Sequence, residues 1–171
     1  MVTSAVKGAP AVGADAYLSV RTKRAGELKG EASAKGHENW IEVHGFQFGV
    51  AASSAIGSGQ ATGRRQYKHL VVVKRLDSSS TSLLSALATN DEVKELKLVL
   101  RKHGGGPEDF FTITLNGARV VGLDLDFDAN GEAAEHAAFA FTKIEVEYRV
   151  QGADGTLGAT STFNDELINA S

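Results

Sequence analysis

Glycine cuts this chain into short pieces. Nineteen glycines against two prolines separate brief runs of β-branched and aromatic residues. Runs bounded in that way read as strands joined by turns, not as long helices. Residues 17–22 alternate, with Tyr17, Ser19 and Arg21 on one face and Leu18, Val20 and Thr22 on the other. Residues 40–50 read as a second strand. Trp40, Glu42, His44, Phe46 and Phe48 share one face there, and Ile41, Val43, Gly45, Gln47 and Gly49 share the other. Residues 67–74, 93–102, 110–115, 119–127 and 139–150 complete the strand set. In the last of these Ile144, Val146 and Tyr148 alternate with Glu145, Glu147 and Arg149.

One segment has helical spacing. Leu83, Leu84 and Leu87 form an apolar stripe over residues 80–88, the serine cluster at 78–80 supplies an N-cap, and Asn90 supplies a stop. Two stretches, 23–39 and 51–66, read as long loops, and loops of that length in a compact domain are usually functional. Residues 1–15 read as a loose arm. Residues 152–171 read as a polar extension with a small apolar patch at Leu167 and Ile168. The expected architecture is a single domain over residues 1–171: mainly β, an antiparallel β-barrel or two packed sheets, with one α-helix. A chain of 171 residues buries roughly 70% of its unfolded surface on folding, enough for a core without staples.

Composition narrows the function classes. The net charge of −3 and the 23% charged residues of both signs argue against a general nucleic-acid binder. The absence of cysteine excludes disulfides, thiolate metal sites and thiol nucleophiles. Residues 1–10 hold no apolar run suited to a signal-peptide core. No stretch approaches the ~18 apolar residues of a membrane span.

Several motif-like features dissolve on inspection. Asp126, Asp128, Asn130 and Gly131 fill the early positions of a calcium-binding loop, but the position for the bidentate glutamate is Ala137, and the flanks read as β. An acidic hairpin turn is the simpler reading. The glycines at 57, 59 and 63 have three residues between the last two, open no helix and belong to no βαβ unit, so they form no dinucleotide fingerprint. His37, His44, His69, His103 and His136 have no zinc-ligand spacing. His44, mid-strand beside aromatics, reads as a partly buried, hydrogen-bonded side chain, with a subunit contact as the alternative. Arg64, Arg65, Lys68, Lys74 and Arg75 form a local basic cluster with only Tyr67 interleaved, thin support for single-strand binding. No catalytic, cofactor-binding or metal-ligating residue is nominated.

Taken together, five segments resemble one family. Leu28-Lys-Gly30-Glu31-Ala-Ser33-Ala-Lys35-Gly36-His37-Glu38-Asn-Trp40-Ile41-Glu42-Val43 is similar to the early signature of the Hcp proteins, the ring-forming tube proteins of type VI secretion: K-G-E-S, a charged spacer, then H-x-x-x-I-[DE]-V. Ser33 is displaced by one from that pattern. Thr62-Gly63-Arg64-Arg65 leading into residues 70–77 resembles the family's third strand. Ser80-Thr-Ser-Leu83-Leu84-Ser-Ala86 resembles its helix, with Thr81 in place of the usual proline. Residues 96–105 and 139–148 resemble its T-L-x-[IL]-x-[KR]-x-G-G segment and its late F-x-[FY]-x-K-I-x-x-x-Y strand. The family's V-S-S-V-S-x-G-G-S-G-G loop is replaced here by residues 120–131.

The resemblance implies a β-barrel with one helix, assembled as a homohexameric ring. Rings stack into a hollow tube inside a contractile sheath, tipped by a spike, and the tube leaves the bacterial cytoplasm without a classical signal, with effectors able to ride in the lumen. The implied partners are other copies of the chain, sheath and spike proteins, and secreted effectors, with no nucleic acid, membrane insertion, cofactor or enzymatic activity. Glu31, Ser33, Lys35 and His37 are the expected subunit contacts, in a loop that would lack structure without the neighbour. Gln47 and Gly49 are the expected lumen wall, or else they accommodate a neighbouring strand. The nearest alternative is the tube of a phage tail or an extracellular contractile particle. An alternative of another class is a monomeric ligand-binding β-barrel or hydrolase.

Overall fold

A computed structural model describes residues 13–54, 61–103, 108–152 and 157–167. The elements run β1 (Ala14–Thr22), β2 (Gly26–Glu27), β3 (Ile41–Val43), β4 (Gly45–Gln47), β5 (Val50–Ser54), β6 (Ala61–Tyr67), β7 (Leu70–Lys74), α1 (Ser79–Ala88), β8 (Val93–Lys102), β9 (Asp109–Phe127), β10 (Ala133–Ala140), β11 (Lys143–Gln151) and β12 (Leu157–Glu166). The glycine-punctuated pattern gives the mainly-β fold with one helix that it predicts. Every strand pair among the described residues is antiparallel.

The strands form two packed layers. One layer runs β2-β1-β8-β9, with β3 on β1 and β11-β12 continuing from β9. The other runs β9-β10-β7-β4. The hydrogen-bonded ladder does not close into a barrel. Instead the chain turns two corners. At the first, β3 pairs with β1, and after His44 the chain switches to β7 as β4. At the second, β9 pairs with β11 up to Asn116 and with β8 up to Ala118, then with β10 from Arg119. Leu18, Val20, Leu96, Leu98, Ile113 and Leu115 of the first layer meet Leu70, Val72, Val120, Ala137 and Phe139 of the second in one core. Each such fully buried aliphatic side chain contributes about 1.5–3 kcal/mol.

Several expected boundaries shift, each for a local reason. The strand at 40–50 breaks at His44, and its faces exchange there: Ile41 and Val43 are buried, whereas beyond the break Phe46 and Phe48 pack on the core and Gln47 is exposed. His44 is exposed, not partly buried. The loop expected at 51–66 is in its described part a hairpin, β5-β6, which continues the β4-β7 pair outward after Lys68 N–H donates to the Gly49 carbonyl. The strands expected at 110–115 and 119–127 merge into the single 19-residue β9, and the one at 139–150 splits into β10 and β11 at Phe141-Thr142. The polar extension contains β12. Residues 104–107, the glycines at 57 and 59, residues 1–12 and Ile168 lie outside the described residues.

Helix α1 begins where expected but is capped by a different residue. Ser78 makes no side-chain cap bond. The Asp77 carboxylate accepts the Ser79 N–H at 2.8 Å and the Ser80 hydroxyl accepts the Asp77 N–H at 3.1 Å, a reciprocal pair that satisfies two donors. Leu83 and Ala86 face the core, while Leu84 is exposed. The stop at Asn90 holds: it adopts φ 53, and Asp91 N–H donates to the Ala86 carbonyl.

Candidate functional site

The long loop before β3 is folded against its own domain. Gly30 N–H donates to the Asn39 carbonyl at 2.8 Å, Ala32 N–H to Trp40 at 2.9 Å, and Asn39 N–H to Ala32 at 2.9 Å. This crossing is tight: a Cβ on Gly30 would lie 2.5 Å from the Trp40 oxygen and 2.7 Å from Ile41 Cα, both backbone atoms. The loop therefore has its structure within one chain, which replaces the expectation of a segment ordered only by a neighbour. Gly30→Val should cost about 1–3 kcal/mol through this overpacking, measured by urea unfolding.

The four loop residues expected at a contact separate into two layers. Glu31, Ser33 and Lys35 are exposed, while Leu28, Ala32 and His37 between and beside them are buried. The Glu31 carboxylate is engaged within the chain, accepting the Ser78 N–H at 3.2 Å beside the start of α1, where the helix dipole favours an anion. His37 lies under the loop tip, 6% exposed. Its Nε2 sits 2.8 and 2.9 Å from the two oxygens of Asp109, and its ring lies between Tyr17 and Trp40, with centroids at 5.4 and 4.2 Å. Arg101 of β8 approaches the same carboxylate at 3.5 Å, donates to the Lys35 carbonyl at 2.9 Å and stacks over Tyr17 at 5.7 Å. Burial pushes the Tyr17 hydroxyl pKa up, with the Asp15 charge adding to it. Asp109 and Arg101 were not nominated by the sequence, since Asp109 lies 72 positions from His37 and no spacing rule joins them.

Gln47 and Gly49 come together at the bend between β4 and β5. They line an open cleft of about 610 Å³ with Phe46, Phe48, Lys68 and His69. A Cβ on Gly49 would meet the Lys68 side chain at 3.3 Å. Beyond the bend, the β5-β6 hairpin is tied to β12: Arg65 donates to both Asp165 oxygens and the Tyr67 hydroxyl donates to one of them at 2.6 Å. The Arg65 hydrogen bonds, then that from Tyr67, hold the Asp165 carboxyl down at about 2. A carboxyl depressed in the folded state stabilises above its ordinary range and loses that contribution as pH falls through its folded value. Amide exchange in residues 61–67 should therefore accelerate as pH drops toward 2, after correction for intrinsic exchange, while Asp165→Asn should accelerate it already at neutral pH.

The other candidate chemistries disperse. Of the five basic residues at 64–75, Lys74 is buried on Glu135 at 2.8 Å and Asp77 at 3.0 Å, and Arg65 is held by Asp165. In the acidic turn, Asp128 Oδ1 accepts the N–H groups of Asn130 and Glu132, each at 2.9 Å, which is how a hairpin turn closes. Ala137 is buried within β10. Among the described residues no group of three or more histidine and carboxylate side chains is placed to hold a metal ion. No helix among them is long and apolar enough to cross a membrane.

The family model described as "Type VI secretion system effector, Hcp" matches residues 17–148. The chain belongs to the Hcp family. The match spans the loop, α1 and the late strands that carry the resemblance in the sequence. Two relatives from Pseudomonas aeruginosa are similar to this chain. "Major exported protein" is 28% identical over 160 residues, covering 82% of this chain and 92% of the relative. "Protein hcp1" is 28% identical over 135 residues, covering 76% and 83%. A solved structure described as that of a type six secretion system protein superposes with a TM-score of 0.82 at 24% identity, covering 93% of this chain and 99% of that one. At that identity the likeness speaks for the Hcp fold, which this chain shares although its ladder stays open.

Proposed function

We propose that this Hcp-family chain is a structural subunit with no catalytic role, closing into hexameric rings that stack as the hollow inner tube of a type VI secretion system. In this reading a contractile sheath drives the tube behind a spike, the subunit leaves the cell with it, and effectors ride in the lumen. Membership of a type VI secretion family supports it, as does the name "Major exported protein" carried by a relative.

The observation that carries the ring is the surface that one copy leaves uncovered. The β9-β10 ribbon runs past the core with Leu125 at 62% and Phe127 at 75% exposure. The β11-β12 ribbon leaves Tyr148, Val150 and Phe163 uncovered, and among the described residues β12 pairs with β11 on one edge only. Clustered exposed apolar side chains mark association surfaces. A contact in which one patch of each copy meets the other patch of the next is heterologous, and heterologous contacts whose rotation closes make rings.

Light scattering after size exclusion, with negative-stain imaging of the peak, tests the reading. The expected result is six times the 18.0 kDa chain mass and rings with a central hole. A stable monomer at micromolar concentration would sink it. Phe127→Asp and Lys35→Glu should each shift the assembly equilibrium toward monomer by on the order of tenfold with the thermal midpoint of the monomer unchanged. Glu31→Lys should weaken rings too, but it also removes the acceptor at Ser78, so Lys35 gives the cleaner test. Gln47 and Gly49 are proposed to face the lumen, where a cysteine at position 47 should react only with reagents small enough to enter the channel.

A further inference from the structure

The cluster beneath the loop tip is costly for something the core does not use. Asp109 and Arg101, two charged groups from β9 and β8, are drawn largely out of water beside His37. His37 Nδ1 and Arg101 Nε are buried without a hydrogen-bond partner among the described residues. Such groups carry desolvation penalties that ordinary packing would avoid. None of the three belongs to the apolar cluster joining the two layers. What they do hold is the loop tip: Arg101 grips the Lys35 carbonyl, Asp109 grips His37, and Tyr17 and Trp40 pack against the imidazole.

We infer that Asp109, through His37 and alongside Arg101, is a positioning residue that presets residues 31–37 as a rigid docking surface for a second copy of this chain. The inference rests on the ring reading above and adds how the contact is prepared. A loop that is already fixed contributes its contacts without a further ordering cost on association, whereas a loose one loses affinity by the entropy of fixing it. The exposed residues Glu31, Ser33 and Lys35 alternate with the buried Ala32 and the half-buried Ala34, so a shift of the tip would misplace all three at once.

The experiment compares wild type, Asp109→Ala and Asp109→Asn, each with and without Lys35→Glu. The chain concentration at half assembly is read by light scattering, and amide exchange over residues 30–40 is read in dilute monomer. Asp109→Ala should speed exchange in the loop, leave β8 protected, and raise the half-assembly concentration on the order of tenfold. Asp109→Asn, which keeps an acceptor for the His37 N–H, should fall between it and wild type, and it serves as the test if the alanine variant does not fold. The loss caused by Lys35→Glu should shrink when the clamp is absent, because the misplaced tip no longer makes its contact. Assembly of Asp109→Ala at the wild-type concentration would overturn the inference, as would fully additive losses with Lys35→Glu, while leaving the ring reading intact. A wild-type chain that remains monomeric throughout would overturn both.

Discussion

Glu135→Ala should destabilise the monomer by about 3 kcal/mol, at the lower end of what breaking a buried ion pair costs. Lys74 is 1% exposed, and its ammonium has four oxygens around it: Glu135 at 2.8 Å, the Arg75 carbonyl at 2.9 Å, Asp77 at 3.0 Å and the Ser80 hydroxyl at 3.2 Å. Removing Glu135 leaves a buried cation with Asp77 as its remaining carboxylate, which is why the lower end applies. The same oxygen of Glu135 accepts from Ser80 at 2.7 Å, so the loss also loosens the first turn of α1. Replacing both partners, Lys74→Met with Glu135→Leu, should recover most of the loss, since an apolar pair needs no desolvation. Urea unfolding at fixed chain concentration, with wild type and the double variant alongside, measures both effects. A single-variant loss below about 1 kcal/mol would mean that the pair behaves like a solvated one.

Gly117→Ala should cost about 2–5 kcal/mol, the sum of about 1–2 kcal/mol for a left-handed backbone and about 1–3 kcal/mol for overpacking. Gly117 has φ +54 at the point where β9 leaves one sheet for the other, and a Cβ there would run into Thr142 Oγ1. That hydroxyl also donates to the Asn116 carbonyl, so it cannot swing away without losing a bond. Gly131, at φ +79 with open space around it, is the control: Gly131→Ala should show the backbone cost alone. Equal losses at the two sites would show that Thr142 yields.

Where side chains alternate between core and water, the sequence was readable. Leu70, Val72 and Lys74 fall on one face of β7 in the strict two-residue period, and the same logic places Leu18 and Val20, or Leu96 and Leu98. Lys74 shares that parity and is buried, although its charge groups it with the basic cluster at 64–75. β12 was unreadable because it is a strand without a buried face: it is exposed along nearly its whole length, so hydrophobicity carries no period there, and pairing with β11 alone defines it. The face exchange at His44 and the joining of two segments into β9 were unreadable for another reason. Both depend on where the chain changes partner strand, which is decided by residues far away. The candidate loop was legible as a contiguous run. Its support was not, because Tyr17, Arg101 and Asp109 reach it from three strands.

The passage of β9 through both layers has a mechanical consequence. In most packed pairs of sheets the layers are joined by side-chain contact and by loops, and they can be peeled apart. Here nineteen consecutive residues form a covalent tie between them. Separating the layers means shearing β9 from β8 and β11 on one side or from β10 on the other, with many hydrogen bonds strained together instead of one at a time. A force on either layer is passed to the other along the backbone of β9, through the corner at Gly117.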